Sequence, residues 1–352
     1  MTALACALTI FTAGCVAPRA GSGAAASSTP SAAPASEAAR FVYSPYKYVP
    51  VGWDADAAAI ATTAGGRVVP LAADARSTLP AGVVAVTLAF ATGECGAETW
   101  DGVDPDVLAR VNVRRFERAG IDYIVSTGGE AGTFSCATDA GMERFIARYA
   151  SSRLIGLDFD IERGQSAELL ASLVRRIKAA KDRHAGLRIS FTLATWASSD
   201  GSGASLNADG ERVMAAIRGA GLDDFYVNLM AMDYGTASAR NCVVVDGVCD
   251  MGRSAMQAAR NVAARFAVPL ARIELTPMIG VNDVMTNVFT LDDAAALGGF
   301  VREAGLGGLH FWALDRDTPC PHGAAIVLSA CSGLDAAPYA FTRAFARALQ
   351  AH

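Results

Sequence analysis

Residues 154–162 read LIGLDFDIE, and residues 166–184 read SAELLASLVRRIKAAKDRH. In the first stretch Asp158, Asp160 and Glu162 occupy every second position, with Phe159 and Ile161 between them. Side chains at i, i+2 and i+4 of a β-strand share a face. The three carboxyls therefore stack in a row while Leu157, Phe159 and Ile161 face the other way. The second stretch is amphipathic in the manner of a helix that covers a sheet. A strand followed by its covering helix is the unit of a parallel sheet, whose strands are buried on both faces. The acids are the anomaly in that unit: an unpaired buried carboxylate is costly, and three neighbours also repel one another.

The unit repeats. Apolar runs recur as FVYSPY (41–46), VVAVTLAF (83–90), DYIVSTGG (122–129), LRISFTLAT (187–195), FYVNLMAMDYG (225–235), RIELTPMIG (272–280) and GLHFWALD (308–315). Amphipathic segments such as DPDVLARVNVRRFERAG separate most of them. With LIGLDFDIE this makes eight strand–helix units, which predicts an α/β fold, a (β/α)8 TIM barrel over residues 41–352. The GxGxxG signature of a dinucleotide-binding sheet is absent. In a TIM barrel the working residues sit at the C-terminal ends of the strands. Here those ends carry Ser126 to Gly129 on strand three, the acids on strand four, and Asp233 and Tyr234 on strand six. Strand seven runs on to Asn282 and Asp283, and strand eight carries Trp312 and Asp315. All are expected to converge on one mouth.

At these residues the chain resembles glycoside hydrolase family 18, the chitinases and related endo-N-acetylglucosaminidases. The family's fourth-strand signature DxxDxDxE is matched by Asp158, Asp160 and Glu162, with Ile155 in place of the first Asp. Its SxGG is matched by Ser126, Gly128 and Gly129. NLMAMDYG (228–235) resembles its Met-x-Tyr-Asp segment with Met232 at the Tyr position, and HFWALDRD (310–317) resembles the segment bearing its strand-eight Trp.

The resemblance implies an endo-acting chitinase, hydrolysing β-1,4 bonds between N-acetylglucosamine units with the substrate's own acetamido group as nucleophile. Glu162 is then the general acid, Asp160 orients the acetamide, and Asp158 shares a proton with Asp160 while Ser126 hydrogen-bonds it. Tyr46 is expected to reach that pair. Asp233 and Tyr234 would contact the acetamide and the distorted sugar. Strand alternation puts Tyr234 on the face of Met232, where it would supply the hydroxyl that Met232 lacks. Trp312 would floor the −1 subsite, and Met230 would pack in the barrel. Trp100, in the loop CGAETWDG, is expected to stack on more distant sugars, with Trp53 and Trp196 as further candidates, and Asn282 and Asp283 would line the cleft. Two alternatives are an endo-β-N-acetylglucosaminidase acting on N-glycans and a non-catalytic chitin-binding lectin; an intact Glu162 speaks against the second. The short span between strands seven and eight leaves no room for the α+β insertion that walls the deep clefts of some family members. An open groove is therefore expected.

No cofactor or metal is expected, because the acids have no His or Cys partners on their strand. The net charge is −5 and the basic residues are scattered, which makes nucleic acid and an anionic membrane surface unexpected partners. Chitin or chito-oligosaccharides are the expected partners of a monomer. The start, MTALACALTIFTAGC, reads as a signal peptide over 1–15, and its small residues before Cys15 resemble a lipoprotein cleavage box, which makes Cys15 a lipid-anchor candidate. An Ala/Ser/Pro-rich linker follows over 16–40. A secreted or envelope-anchored bacterial protein is the expectation. Beyond the leader lie Cys95, Cys136, Cys242, Cys249, Cys320 and Cys331. An even number in an exported chain predicts disulfides, paired as Cys95–Cys136, Cys242–Cys249 and Cys320–Cys331.

Overall fold

The computed structural model describes residues 41–321 and 329–351. The expected signal peptide, the linker and Cys15 lie outside the described residues. The barrel strands are β1 (Val42–Tyr43 and Tyr46–Tyr48), β2 (Ala85–Ala91), β3 (Asp122–Gly128) and β4 (Leu154–Ile161). They continue as β5 (Arg188–Ala194), β6 (Tyr226–Ala231), β7 (Ile273–Pro277) and β8 (Gly308–Leu309). Each pairs in parallel with its neighbour in sequence. Closure falls on β1, which is broken at Ser44 and Pro45. Its first half pairs with β8, Val42 opposite Gly308, and its second with β2, Tyr46 opposite Thr87. Proline has no N–H to give, and the Pro45 carbonyl accepts from the Thr87 N–H instead.

The helices are α1 (Pro105–Ala119), α2 (Asp139–Tyr149), α3 (Ala167–Arg183), α4 (Ala208–Ala220), α5 (Met251–Phe266), α6 (Leu291–Ala304) and α7 (Ala340–Gln350). In α3 the Ser166 hydroxyl caps the Leu169 N–H, and Leu170, Leu173, Val174 and Ile177 bury one face. On β4, Leu157, Phe159 and Ile161 are buried outward under the helices, and Phe159 packs on Phe134 and Phe191. Full burial of such side chains contributes about 1.5–3 kcal/mol each. Helix α7 has no side-chain cap of its own, and the Asp317 carboxylate accepts the N–H groups of Phe341 and Thr342 at its start.

One unit departs from the expected pattern. Between β1 and β2 there is no helix; two small hairpins, Ala61–Thr62 with Val69–Pro70 and Ala72–Ala73 with Arg76–Ser77, take its place. A buried ion pair holds this substitute. Lys47 Nζ lies 2.6 Å from Asp315, whose other oxygen accepts from the Thr62 hydroxyl and the Thr63 N–H. Asp315 therefore does not reach the mouth, where the sequence placed it. It is sealed behind the barrel wall, because Lys47 alternates outward between Tyr46 and Tyr48. Burial pulls the Lys47 ammonium below its ordinary pKa, and Asp315 pushes it back.

The three disulfides join the expected pairs. Cys95–Cys136 ties the loops after β2 and β3, and Cys242–Cys249 closes the hairpin Val244–Val245/Val248–Cys249.

Removing one partner of a buried ion pair leaves the other charge uncompensated, at a cost of about 3–5 kcal/mol. Asp315→Ala should lose that much stability in denaturant unfolding. The pair Lys47→Met with Asp315→Leu should recover most of it, since no stranded charge remains.

Candidate active site

The strand register explains how the acids are tolerated. Asp158 sits opposite Ser126 on β3 and Ser190 on β5, both pointing into the barrel. Its Oδ2 accepts from Ser126 (2.6 Å) and Tyr46 (2.9 Å), and its Oδ1 from Ser190 (2.8 Å) and Thr192 (2.7 Å). Asn228 in turn donates to the Tyr46 and Thr192 hydroxyl oxygens and accepts from Thr276. Burial pushes the Asp158 pKa up, and the four hydroxyls pull it back.

Asp160, one step toward the mouth, is buried without comparable help: its Oδ1 meets no donor. Burial first, then the charges of Glu162 and Asp158, push it well above the carboxylate range. The hydroxyl cage occupies both Asp158 oxygens, and Asp160 stands above it with no hydroxyl of its own.

Glu162 opens into a cleft of about 1010 Å³ at the C-terminal ends of the strands. Its pKa is pushed up to about 7, first by burial and then by Glu130, with Asp233 and Asp283 adding and Arg163 opposing. A carboxyl in that range is protonated in mildly acid solution and can both give and retake a proton. Burial also raises Asp233 and Asp283.

The end of β3 has to come close. A Cβ on Gly128 (φ +88°) would lie 2.0 Å from the Asp160 carbonyl oxygen, and one on Gly129 (φ +78°) would strike the Phe90 ring. The two glycines let β3 end flush against the acid strand. The floor is aromatic: Trp312 stacks on Phe90 with centroids 5.7 Å apart and planes 12° apart, and the Tyr46 and Tyr48 rings lean on the same indole.

Several sequence expectations end elsewhere. Trp100 is fully buried, its indole N–H donating to the Tyr149 hydroxyl, which donates to Glu98. It is a core residue and offers no face to a sugar. Trp53 packs against the main core and does not line the cleft, whereas Trp196 lines it with 39% of its surface exposed.

Tyr234 is also buried and outside the cleft. Strand pairing stops at Ala231, and Asp233 takes a left-handed conformation (φ +51°), so the alternation that would have put Tyr234 beside Met232 is broken. Met230, Met232 and Asp233 do line the cleft. Asn282 is buried behind the wall: its Oδ1 accepts from the Asp233 N–H, and its amide donates to the carbonyls of Met278 and Gly280. It shapes the bend that carries Asp233. Ser126 likewise lies below the cleft and reaches it only through Asp158.

The sequence reading did not single out Glu130, Tyr48, Phe90 or Met278, all of which line the cleft. Each follows or ends a barrel strand, the one local signal that they carried.

No family model matches the chain. It is 26% identical over 247 residues to a probable bifunctional chitinase/lysozyme of Escherichia coli strain K12, covering 66% of this chain and 27% of that protein. It is 27% identical over 223 residues to Endochitinase 11 of Metarhizium anisopliae, covering 59% of this chain and 42% of that one. The chain thus spans less than half the length of either relative. Among solved structures, the catalytic domain of a hyperthermophilic chitinase from Pyrococcus furiosus matches with a TM-score of 0.63 at 22% identity, covering 89% of this chain and 95% of that one. Active-site mutants of active domain 2 of that organism's chitinase, in complex with chito-oligosaccharides, match at the same TM-score of 0.63 and 23% identity, with the same coverage of both chains. The Ostrinia furnacalis group IV chitinase matches at 0.53 and 13% identity, covering 88% and 99%. The barrel fold is shared with these proteins.

The raised Glu162 pKa also makes a stability prediction. Below pH ~4.5 both folded and unfolded chains hold the proton. As pH rises the unfolded chain ionises first, and the folded chain follows only at about 7, so stability is lost across that window. Glu162→Gln removes this loss. It should be more stable than the parent at pH ~8 by on the order of 1–3 kcal/mol, and no more stable at pH ~4, in parallel denaturant titrations.

Proposed function

We infer that this chain is a glycoside hydrolase of family 18, a chitinase that cuts the β-1,4 bonds of N-acetylglucosamine polymers by substrate-assisted, retaining hydrolysis. The observation that carries the reading is the acid ladder on β4. Asp158 is caged by four hydroxyls, Asp160 is buried without a donor, and Glu162 is lifted to about 7 at the cleft surface.

In this reading Glu162 protonates the leaving oxygen. Asp160 receives the acetamido N–H on its unpartnered side and balances the positive charge that develops on the oxazolinium ring. Water then opens the ring from the face that the leaving group left, with Glu162 as base, so the β configuration is kept. Trp312, backed by Phe90, lies under the sugar. The Tyr234 hydroxyl is buried outside the cleft, which leaves Asp233, whose pKa burial raises, as the candidate to hold the acetamide carbonyl in its protonated form. The sequence relatives are named as chitinases, and this supports the same substrate class.

The span from Met278 to Gly307 holds only the hairpin Gly280–Val281/Val288–Phe289 and α6. Among the described residues no wall rises from that span, which favours binding anywhere along a polymer and cutting within it. The three disulfides favour an oxidising compartment, in line with a secreted or envelope-anchored enzyme.

Glu162→Gln keeps the shape of the side chain and removes the transferable proton. Hydrolysis of chito-oligosaccharides should fall by about 10²–10⁴-fold while binding, measured by calorimetry, persists; near-normal turnover would remove Glu162 from the acid role. On a soluble chitin derivative, viscosity should drop steeply before many reducing ends appear. Slow viscosity loss with disaccharide as the main early product would show action from chain ends.

A further inference from the structure

The cage around Asp158 depends on where its hydroxyl protons point. Tyr46 and Thr192 carry one such proton each, and their oxygens lie 3.0 Å apart. Each can give its proton to Asp158 or to the other hydroxyl. Only the first choice supplies the carboxylate with its third and fourth donors. Burial, and then the charges of Asp158 and Asp160, hold the Tyr46 pKa far above its ordinary value, so this hydroxyl keeps its proton.

Asn228 biases that choice. It stands opposite Thr192 on β6 and is 1% exposed, with its Nδ2 3.0 Å from the Tyr46 oxygen and 2.9 Å from the Thr192 oxygen. An amide NH2 gives and does not accept, so both hydroxyl oxygens are acceptors toward it. It competes for the lone pairs that Tyr46 and Thr192 would offer each other. Their protons are left to Asp158, at 2.9 and 2.7 Å. The amide is itself oriented from β7, where the Thr276 hydroxyl donates to Oδ1 at 2.8 Å. Turned the other way, Oδ1 would face the two hydroxyls and draw a proton off the carboxylate. Donation therefore runs one way, from β7 through β6 to β1 and β5, and on to β4.

Among the described residues, the titratable side chains at the cage are Tyr46 and Asp160, with Glu162 beyond them. In the layer below, Arg188 and His310 both face Glu274. The other partners, Ser126, Ser190, Thr192, Asn228 and Thr276, carry no charge, so the direction of donation is what they contribute. Resting on the chitinase reading and deepening it, we propose that Asn228 is a positioning residue of the acid ladder. Together with Thr276 it aims the Tyr46 and Thr192 protons at Asp158, and this keeps a negative charge on the deep acid beneath Asp160. The two acids take up protons as a pair. Fully protonated, the pair has no charge left to balance an oxazolinium ring forming above it.

Asn228→Leu keeps the approximate size of the side chain and removes the amide. In the pH dependence of kcat/KM on fully acetylated chito-oligosaccharides, the acid limb should rise by about one pH unit, because Asp158 loses a donor and holds its proton more tightly. The alkaline limb, set by Glu162 at about 7, should stay in place, since Asp158 is not among the charges that shift Glu162. Thr276→Val, which frees the amide to turn, should move the acid limb in the same direction, and Thr276→Ser should return it to the parent position. A carboxyl 13C NMR titration, with Asp158→Asn as the assignment control, reads the same pair without activity. It should show full protonation of the pair at a higher pH in Asn228→Leu and Thr276→Val. Either readout staying at its parent value in the folded variants would overturn the proposal, as would a Thr276→Ser limb displaced as far as that of Thr276→Val. If Asn228→Leu does not fold, the two Thr276 variants decide. A parent protein that cuts no chito-oligosaccharide overturns the chitinase reading alone, because the NMR titration still tests the aim of the donors.

Discussion

Two carboxyls on adjacent inward positions of one buried strand are the constraint around which the rest of this barrel is arranged. Asp158 and Asp160 cannot both ionise in the interior without heavy compensation. The barrel resolves this unequally. The deeper acid receives four hydroxyl donors from three other strands, β1, β3 and β5, while the shallower one receives none. Parallel register sets Ser126 and Ser190 opposite Asp158 and Thr192 one step on, while Tyr46 reaches it across the barrel from β1. A slip of one residue on β3 or β5 would turn serines outward and leave the acid bare.

The layer beneath is polar too. Arg188 pairs with Glu274, Glu274 faces His310, and His310 hydrogen-bonds Ser44, which meets Thr87. These residues stand two positions before Ser190, Thr276, Trp312, Tyr46 and Ala89 on the same strands, so the ring below shares its inward face with the Asp158 layer above. An apolar filling would be the commoner choice for a barrel of this size. This polar ring ties five strands to one another.

Function then draws on the parts where backbone regularity ends. Gly128 and Gly129 bring β3 against Asp160, the left-handed Asp233 turns its carboxyl into the cleft, and Asn282 holds that bend from behind. The cleft surface combines an aromatic floor with an acidic rim. Burial and the acidic rim together lift Glu162 toward neutrality.

The order of the eight barrel strands, the acid ladder, the cysteine pairs and the short span before β8 are legible in the sequence. All of these are properties of local period, composition or spacing, which the chain carries wherever it folds. Long-range packing settles which aromatic residues face the cleft: Trp100 and Trp196 both lie near strand ends, yet Tyr149 and Glu98 claim the first and only the second is left exposed. It also decided that Tyr234 turns inward, since a single positive φ at Asp233 breaks the period from which its direction was read. The loss of the first helix, the sealing of Asp315 by Lys47 and the arrival of Glu130 and Phe90 in the cleft depend on partners from distant parts of the chain. A two-residue period reports only the residue's own strand, whereas those positions are set by what the neighbouring strands place beside it.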